Sequence, residues 1–259
     1  MTGDVHYDEQ SIAFLEHMWG VGFMSPGGVD EVARIVGDLD LTGATVLDIG
    51  CGVAGATVAI AHEHGAGRVV GIDVEEPGRA RAVARVAAAE AGDRVEIRLV
   101  EPGPLPFENE SFDVVFSKDS IVHIPDKAAL AADVFRVLRP GGWFVASDWL
   151  IAHEDEPSPQ MQDYLRKEDL GFGMASPDRY RQALEMAGFE SIELVNRNAW
   201  YRTLARQELA RLTGPERPVF ESLVPPEEVA HQIEVWSAMV LVVDSGEHCP
   251  HHLRARKPG

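Results

Sequence analysis

An α/β fold with a mostly parallel sheet is predicted by three observations. Apolar strand-like runs alternate with helical segments, a glycine turn directly follows the first run, and the first two runs each end in an acid. Ahead of the sheet, Ile12, Leu15, Met18 and Trp19 fall on one helical face and predict an N-terminal lid helix. FMSPGG (Phe23 to Gly28) follows as a flexible turn. The strand runs are Thr45 to Ile49, Val69 to Val74, Val95 to Val100, Phe112 to Phe116 and Trp143 to Ser147. Between the second and third, Arg79 to Ala91 is an Ala-rich helix that closes at Gly92. LRPGG (Leu138 to Gly142) ends a helix and turns into the fifth strand. After Trp149 the pattern changes to helices with polar loops. Ser176 and Pro177 begin one as N-cap and first residue, and Gly188 ends it. Pro225 and Pro226 precede another, with Glu227 and Glu228 in its first turn and Val229, Ile233, Trp236, Val240 and Val243 along one face. The runs Ile192 to Arg197 and His252 to Lys257 complete a seven-stranded sheet as an antiparallel pair at its edge. Without repeats, low-complexity tracts or linkers, the chain reads as one domain over 1–259: lid helices in 1–40, a core in 41–150, and cap helices with the last two strands in 151–259.

Composition narrows the function classes. The chain has 259 residues, 45% hydrophobic and 25% charged, as expected of a soluble globular enzyme. A net charge of −19 argues against a nucleic-acid or anionic-membrane partner, since both need clustered Lys and Arg. Cys51 and Cys249 support neither a disulfide framework nor a zinc site, so no metal is expected and a reducing cytoplasm fits. The N-terminus lacks a basic and apolar leader, and no apolar run approaches a membrane span. The expectation is a cytoplasmic monomer or homodimer acting on a small molecule.

VLDIGCGVAG (Val46 to Gly55) places Gly50, Gly52 and Gly55 between a strand and a helix N-terminus. Glycines let the backbone approach a ligand while free N–H groups point at it. VVGIDVEE (Val69 to Glu76) adds Asp73, eighteen residues past Gly55, where a carboxylate accepts hydrogen bonds from ribose hydroxyls. A dinucleotide and S-adenosyl-L-methionine compete for such a cradle. Asp48 favours the second, because a pyrophosphate beside that carboxylate is repelled whereas S-adenosylmethionine carries an ammonium and a sulfonium.

Together, VLDIGCGVAG, VVGIDVEE, PFENESFDVVFSKDSIVHIPDK and VLRPGGWFVASDW resemble the class I S-adenosylmethionine-dependent methyltransferases. FMSPGG, SKDSIVHIPDK and SDW followed by PSPQMQDYLRK resemble more narrowly the phosphoethanolamine N-methyltransferases and related small-amine enzymes, from about Tyr7 to Lys257. The resemblance implies a Rossmann-like sheet, with Gly50 and Gly52 against the methionine and ribose of the cofactor and Asp73 on the ribose. It puts Val74 and Glu101 at the adenine, and Met24 and Ser25 in a closing lid; Lys118 is counted with these cofactor residues. Tyr7, Asp119 and His123 are the implied catalytic group. Four-residue spacing on a helix after the fourth strand would put Asp119 and His123 on one face, at the ligand end of the sheet. Without the family pattern, His123 reads as a capping or packing residue before Pro125.

Methyl transfer needs alignment and removal of the acceptor's proton. A histidine side chain ordinarily titrates near neutrality, so His123 is suited to accept it, with Tyr7 as partner and Asp119 orienting the acceptor. Trp149 and Tyr164 align with aromatic pocket positions fit for a cationic amine, and Trp19 joins them. Where phosphoethanolamine enzymes carry an Arg and a Tyr that grip phosphate, this chain has Glu168 and Leu170, and no Lys occurs between Lys167 and Lys257. The acceptor expected is therefore a small amine or amino acid other than phosphoethanolamine, with Arg202 or Arg166 as candidate carboxylate partners. The alternatives are O-, S- or C-methylation, intramolecular use of the cofactor, and cofactor binding without catalysis.

Overall fold

The computed structural model describes residues 7–259. Its sheet is built from β1 (Thr45–Ile49), β2 (Arg68–Asp73), β3 (Val95–Leu99), β4 (Phe112–Lys118), β5 (Leu138–Ile151), β6 (Glu190–Asn196) and β7 (His248–Arg256). The order is β3-β2-β1-β4-β5-β7-β6, parallel except for β7, which runs antiparallel to both β5 and β6. Because β1 pairs with β2 on one side and β4 on the other, the connections leave it in opposite directions. The crevice for a ligand therefore opens at the carboxyl ends of β1 and β4.

Strand alternation feeds two cores. Val46, Val69, Val114 and Val145 pack under α2 (Gly28–Val36), α3 (Gly55–His62) and α4 (Glu76–Ala88). Leu47, Ile49, Val115 and Phe144 face α5 (Lys127–Val137) and α7 (Pro177–Ala187) on the other side. Each such side chain contributes about 1.5–3 kcal/mol on burial. A third cluster joins α1 (Glu9–Trp19) to α6 (Pro159–Glu168), α8 (Asn198–Thr213), α9 (Arg217–Leu223) and α10 (Pro226–Ser245), around Phe14, Met161, Tyr201, Phe220 and Trp236. This helical cap sits over Ile151, the end of β5.

Several ends lie where local chemistry puts them. Ser176 caps α7 by accepting the Arg179 N–H, and Gly188 closes it at φ 98°. Helix α10 starts at Pro226 and buries Val229, Trp236 and Val243, with Val240 and Ile233 partly buried. Other boundaries differ from the expectation, and strands β5 and β7 are longer than expected. Helix α4 starts at Glu76, since Pro77 fits a first turn, and it ends at Ala88 rather than at Gly92. There Glu90 takes the left-handed turn at φ 53°, while Glu90 and Ala91 donate to the Ala87 and Val86 carbonyls. The LRPGG segment lies within β5, as an irregularity before Trp143 resumes the ladder, so the turn is a distortion of the strand. The turn at FMSPGG is packed: Phe23 is buried in the core and Ser25 accepts from Lys118. Gly22 donates to Glu16, and Glu16 is gripped by Arg81 at 2.9 Å and Arg85 at 2.5 Å, which ties the lid helix to α4.

Candidate active site

The turn after β1 is built almost wholly from backbone. Gly50 and Gly52 sit at φ 72° and 50°. A Cβ on Gly50 would lie 1.6 Å from Ser120 Oγ, and one on Gly55 would lie 2.1 Å from the Gly22 carbonyl oxygen. The glycines thus admit the loop after β4 on one side and the lid loop on the other. Met24 reaches over the turn, its sulfur 3.3 Å from where a Gly52 Cβ would stand. Asp73, half-buried at the end of β2, accepts the Gly52 N–H at 2.7 Å and the Glu75 N–H at 3.0 Å, while burial raises its pKa. Val74 follows it, half exposed, and Glu101 stands exposed on the loop after β3.

Asp48 needs a correction. It is buried beneath the turn, where its Oδ2 accepts the Thr57 hydroxyl of α3 at 2.6 Å. Burial, helped by the charge of Asp73, pushes it up to about 7 against that hydrogen bond. It braces the cradle from below, because the strand's alternation turns its side chain toward Thr57 on α3.

At the end of β4, Lys118 donates to Ser25 Oγ at 2.5 Å and to Asp119 Oδ2 at 2.9 Å, and Asp119 Oδ1 accepts the Ser147 hydroxyl at 2.6 Å. Asp119 and His123 line one cavity, but not through an α-helix. Asp119 adopts φ 55°, and a single 3₁₀ turn (Ile121–His123) then carries His123 round. Two buried residues pin that turn. Lys127 Nζ donates to the Ile121 and Ile124 carbonyls at 2.7 and 2.6 Å, and Asp148 Oδ1 accepts the Val122 N–H at 2.9 Å. Burial lowers Lys127 and raises Asp148, each partly offset by the other's charge. Sequence reasoning assigns neither a role, although both lie inside the quoted motifs amid apolar neighbours. A charge placed in an apolar stretch was the available signal.

The cavity has a volume of about 310 Å³. Tyr7, Trp19, Met24, Ser25, Asp119 and His123 line its sheet and lid side; Trp149, Tyr164, Glu168 and Leu170 line its cap side. The His248 ring lies 5.3 Å from Trp149 and stacks on Tyr164 at 5.4 Å, and Trp149 leans on Tyr201 at 4.7 Å. Tyr201 and His248 had no sequence signal, since residues distant in the chain only meet here. Among the described residues no hydrogen bond or ion pair engages the Glu168 carboxyl, and burial pushes it up to about 7. Arg202 and Arg166 are corrections. Arg202 is exposed and pairs with Asp244 at 3.3 Å, and Arg166 is exposed and pairs with Asp163; neither lines the cavity. Both sit on outward helix faces, where a long cation is better solvated. The lining includes Glu228 but no Lys or Arg among the described residues.

The residues of the turn fit a nucleoside-bearing cation: a backbone cradle, a carboxylate at ribose distance along the chain, and Lys118 already neutralised by Asp119. Among the described residues, no three His, Cys, Asp or Glu side chains are grouped to hold a metal ion, and no helix is long and apolar enough to cross a membrane.

A methyltransferase-domain family model matches residues 47–146. Phosphoethanolamine N-methyltransferase 3 of Arabidopsis thaliana is 30% identical over 94% of this chain but 49% of its own length, so the chain spans about half of such relatives. The 27-O-demethylrifamycin SV methyltransferase of Amycolatopsis mediterranei is 30% identical over 75% of this chain and 78% of its own. The solved structure of phosphoethanolamine N-methyltransferase 2 from Haemonchus contortus, in complex with phosphomonomethylethanolamine and S-adenosylhomocysteine, matches at a TM-score of 0.89 and 26% identity, over 99% of this chain and 59% of that one. Cradle, sheet order and relatives agree: this chain belongs to the class I S-adenosylmethionine-dependent methyltransferases.

Proposed function

We propose that the protein N-methylates a small amine or amino acid and does not use phosphoethanolamine. The observation that carries this reading is the charge of the cavity wall, which presents Asp119, Glu168 and Glu228 among aromatic rings and no Lys or Arg among the described residues. Such a wall attracts a cation and repels a phosphate. When bound, S-adenosylmethionine supplies an electrophilic methyl group; Gly50, Gly52 and Asp73 are the residues suited to hold it, with Met24 and Ser25 closing over them and Val74 and Glu101 at the adenine side.

The chain's own residues then have separable tasks. Asp119 is bonded to Lys118 and Ser147 and retains lone pairs for an ammonium N–H. His123 takes the proton that frees the amine lone pair, directly or through water, and Tyr7 shares its cavity wall. Trp149, Tyr164 and Trp19 exclude water from the acceptor's alkyl groups. A second reading, O-methylation of a hydroxyl, draws on the similarity to the rifamycin enzyme, and there His123 would remove the hydroxyl proton.

The test is release of S-adenosylhomocysteine against a panel of amines, amino acids, alcohols, phenols and phosphoethanolamine. Turnover confined to amines or amino acids is expected; turnover of phosphoethanolamine, or of hydroxyls alone, would sink the proposal. With the best acceptor, His123→Ala should slow kcat about 10²–10⁴-fold and leave cofactor affinity within about twofold. Tyr7→Phe should be milder.

A further inference from the structure

The aromatic wall of the cavity is organised by a residue that does not line it. Glu208 on α8 is 2% exposed and lies behind the rings. Its Oε1 accepts the Trp19 indole N–H at 2.6 Å, and its Oε2 accepts the Trp236 indole N–H at 3.0 Å and the Tyr201 hydroxyl at 3.5 Å. Trp19, Trp236 and Tyr201 come from α1, α10 and α8, and all three face the cavity. The two indoles lie 6.0 Å apart at 35°.

We infer that Glu208 is a specificity-determining positioning residue, which fixes the two indoles and raises the electron density of their faces so that the wall selects a cationic acceptor. A carboxylate bonded to an indole N–H pushes charge into the ring, and the attraction of a cation for that face grows with it. Three donors converge on the two carboxylate oxygens, so the ionised form satisfies all of them. A neutral side chain would meet the packing requirement without the cost of burying a carboxyl, a cost visible in the upward shift that burial imposes on Glu208. The same carboxylate joins the lid helix to the cap, so acceptor recognition and lid position share one anchor. The inference rests on the amine reading proposed above.

Its test compares choline with 3,3-dimethyl-1-butanol, the neutral isostere, by calorimetry on the full chain saturated with S-adenosylhomocysteine. The wild type should bind choline at least about tenfold more tightly, and Glu208→Gln should reduce that ratio about fivefold while S-adenosylhomocysteine affinity stays within about twofold. Glu208→Asp, which keeps the charge, should recover part of the ratio. If the wild type shows no preference, the amine reading fails and this inference with it. A preference that survives intact in Glu208→Gln, or equal weakening of both probes, overturns the inference alone. Should Glu208→Gln not fold, the wild-type protein decides: the indole N–H protons of Trp19 and Trp236 must resonate downfield of the other three tryptophans, and without that displacement the inference falls.

Discussion

The two halves of the proposed site, a cofactor side and an acceptor side, are made from different materials. The cofactor side is a backbone cradle of near neighbours in sequence: Gly50 to Gly55 after β1, closed by Asp73 one strand away. The acceptor side is a cavity of side chains from positions as far apart as Trp19 and His248. A cradle of N–H groups tolerates few substitutions but serves any acceptor, whereas a side-chain cavity can change its charge without touching the cradle. Glu168 and Arg202 illustrate the point. The sequence offers both as acceptor contacts, and only Glu168 reaches the cavity.

Substitutions can break this contrast in turn. The largest effect is expected from Gly50→Ala, which must hold φ 72° and displace Ser120. Left-handed strain and overpacking together should cost about 2–4 kcal/mol, with S-adenosylmethionine affinity falling at least about a hundredfold by calorimetry. Near-normal affinity would mean that the cradle is not built as described. On the acceptor side, Lys127→Met leaves the Ile121 and Ile124 carbonyls without their buried donor. A loss of about 1–3 kcal/mol in urea unfolding should accompany a kcat reduced about ten- to a hundredfold, because His123 drifts, while cofactor binding holds. Weakened cofactor binding would show the halves to be coupled.

Glu168→Gln sharpens the comparison through pH. The Glu168 carboxyl rises from its ordinary 4.5 to about 7 in the fold, so the native state keeps a proton that the unfolded chain has lost. Stability is therefore greatest below about pH 4.5 for this group and declines as pH rises to about 7, by about 1–3 kcal/mol after allowance for its partial exposure. The variant should flatten that segment of the stability curve, and it should also remove the gain in amine affinity as pH rises through 7. A curve unchanged from wild type would remove Glu168 from the acceptor site. The smallest effect is expected far from both halves. Glu90→Gly relieves the left-handed turn that ends α4 and should add about 0.5–1 kcal/mol to stability with unchanged kinetics.

Period and punctuation in the chain were enough for the seven strands, the capped ends of α7, the Pro-led start of α10 and the glycine turn, because each depends on neighbours a few residues away. The motif around Asp119 and His123 was also visible, but the means of bringing them together was not. Sequence spacing suggested a helix, whereas Asp119 turns left-handed and Lys127 with Asp148 clamp a 3₁₀ turn. Tertiary structure alone decided that Asp48 is a buried brace and that Arg202 faces solvent. It also decided that Glu208 collects Trp19, Trp236 and Tyr201 from three helices. The chain by itself determined the sheet and the glycine turn, since both arise from short-range backbone rules; the charge and walls of the cavity arise from long-range packing, which no local pattern encodes.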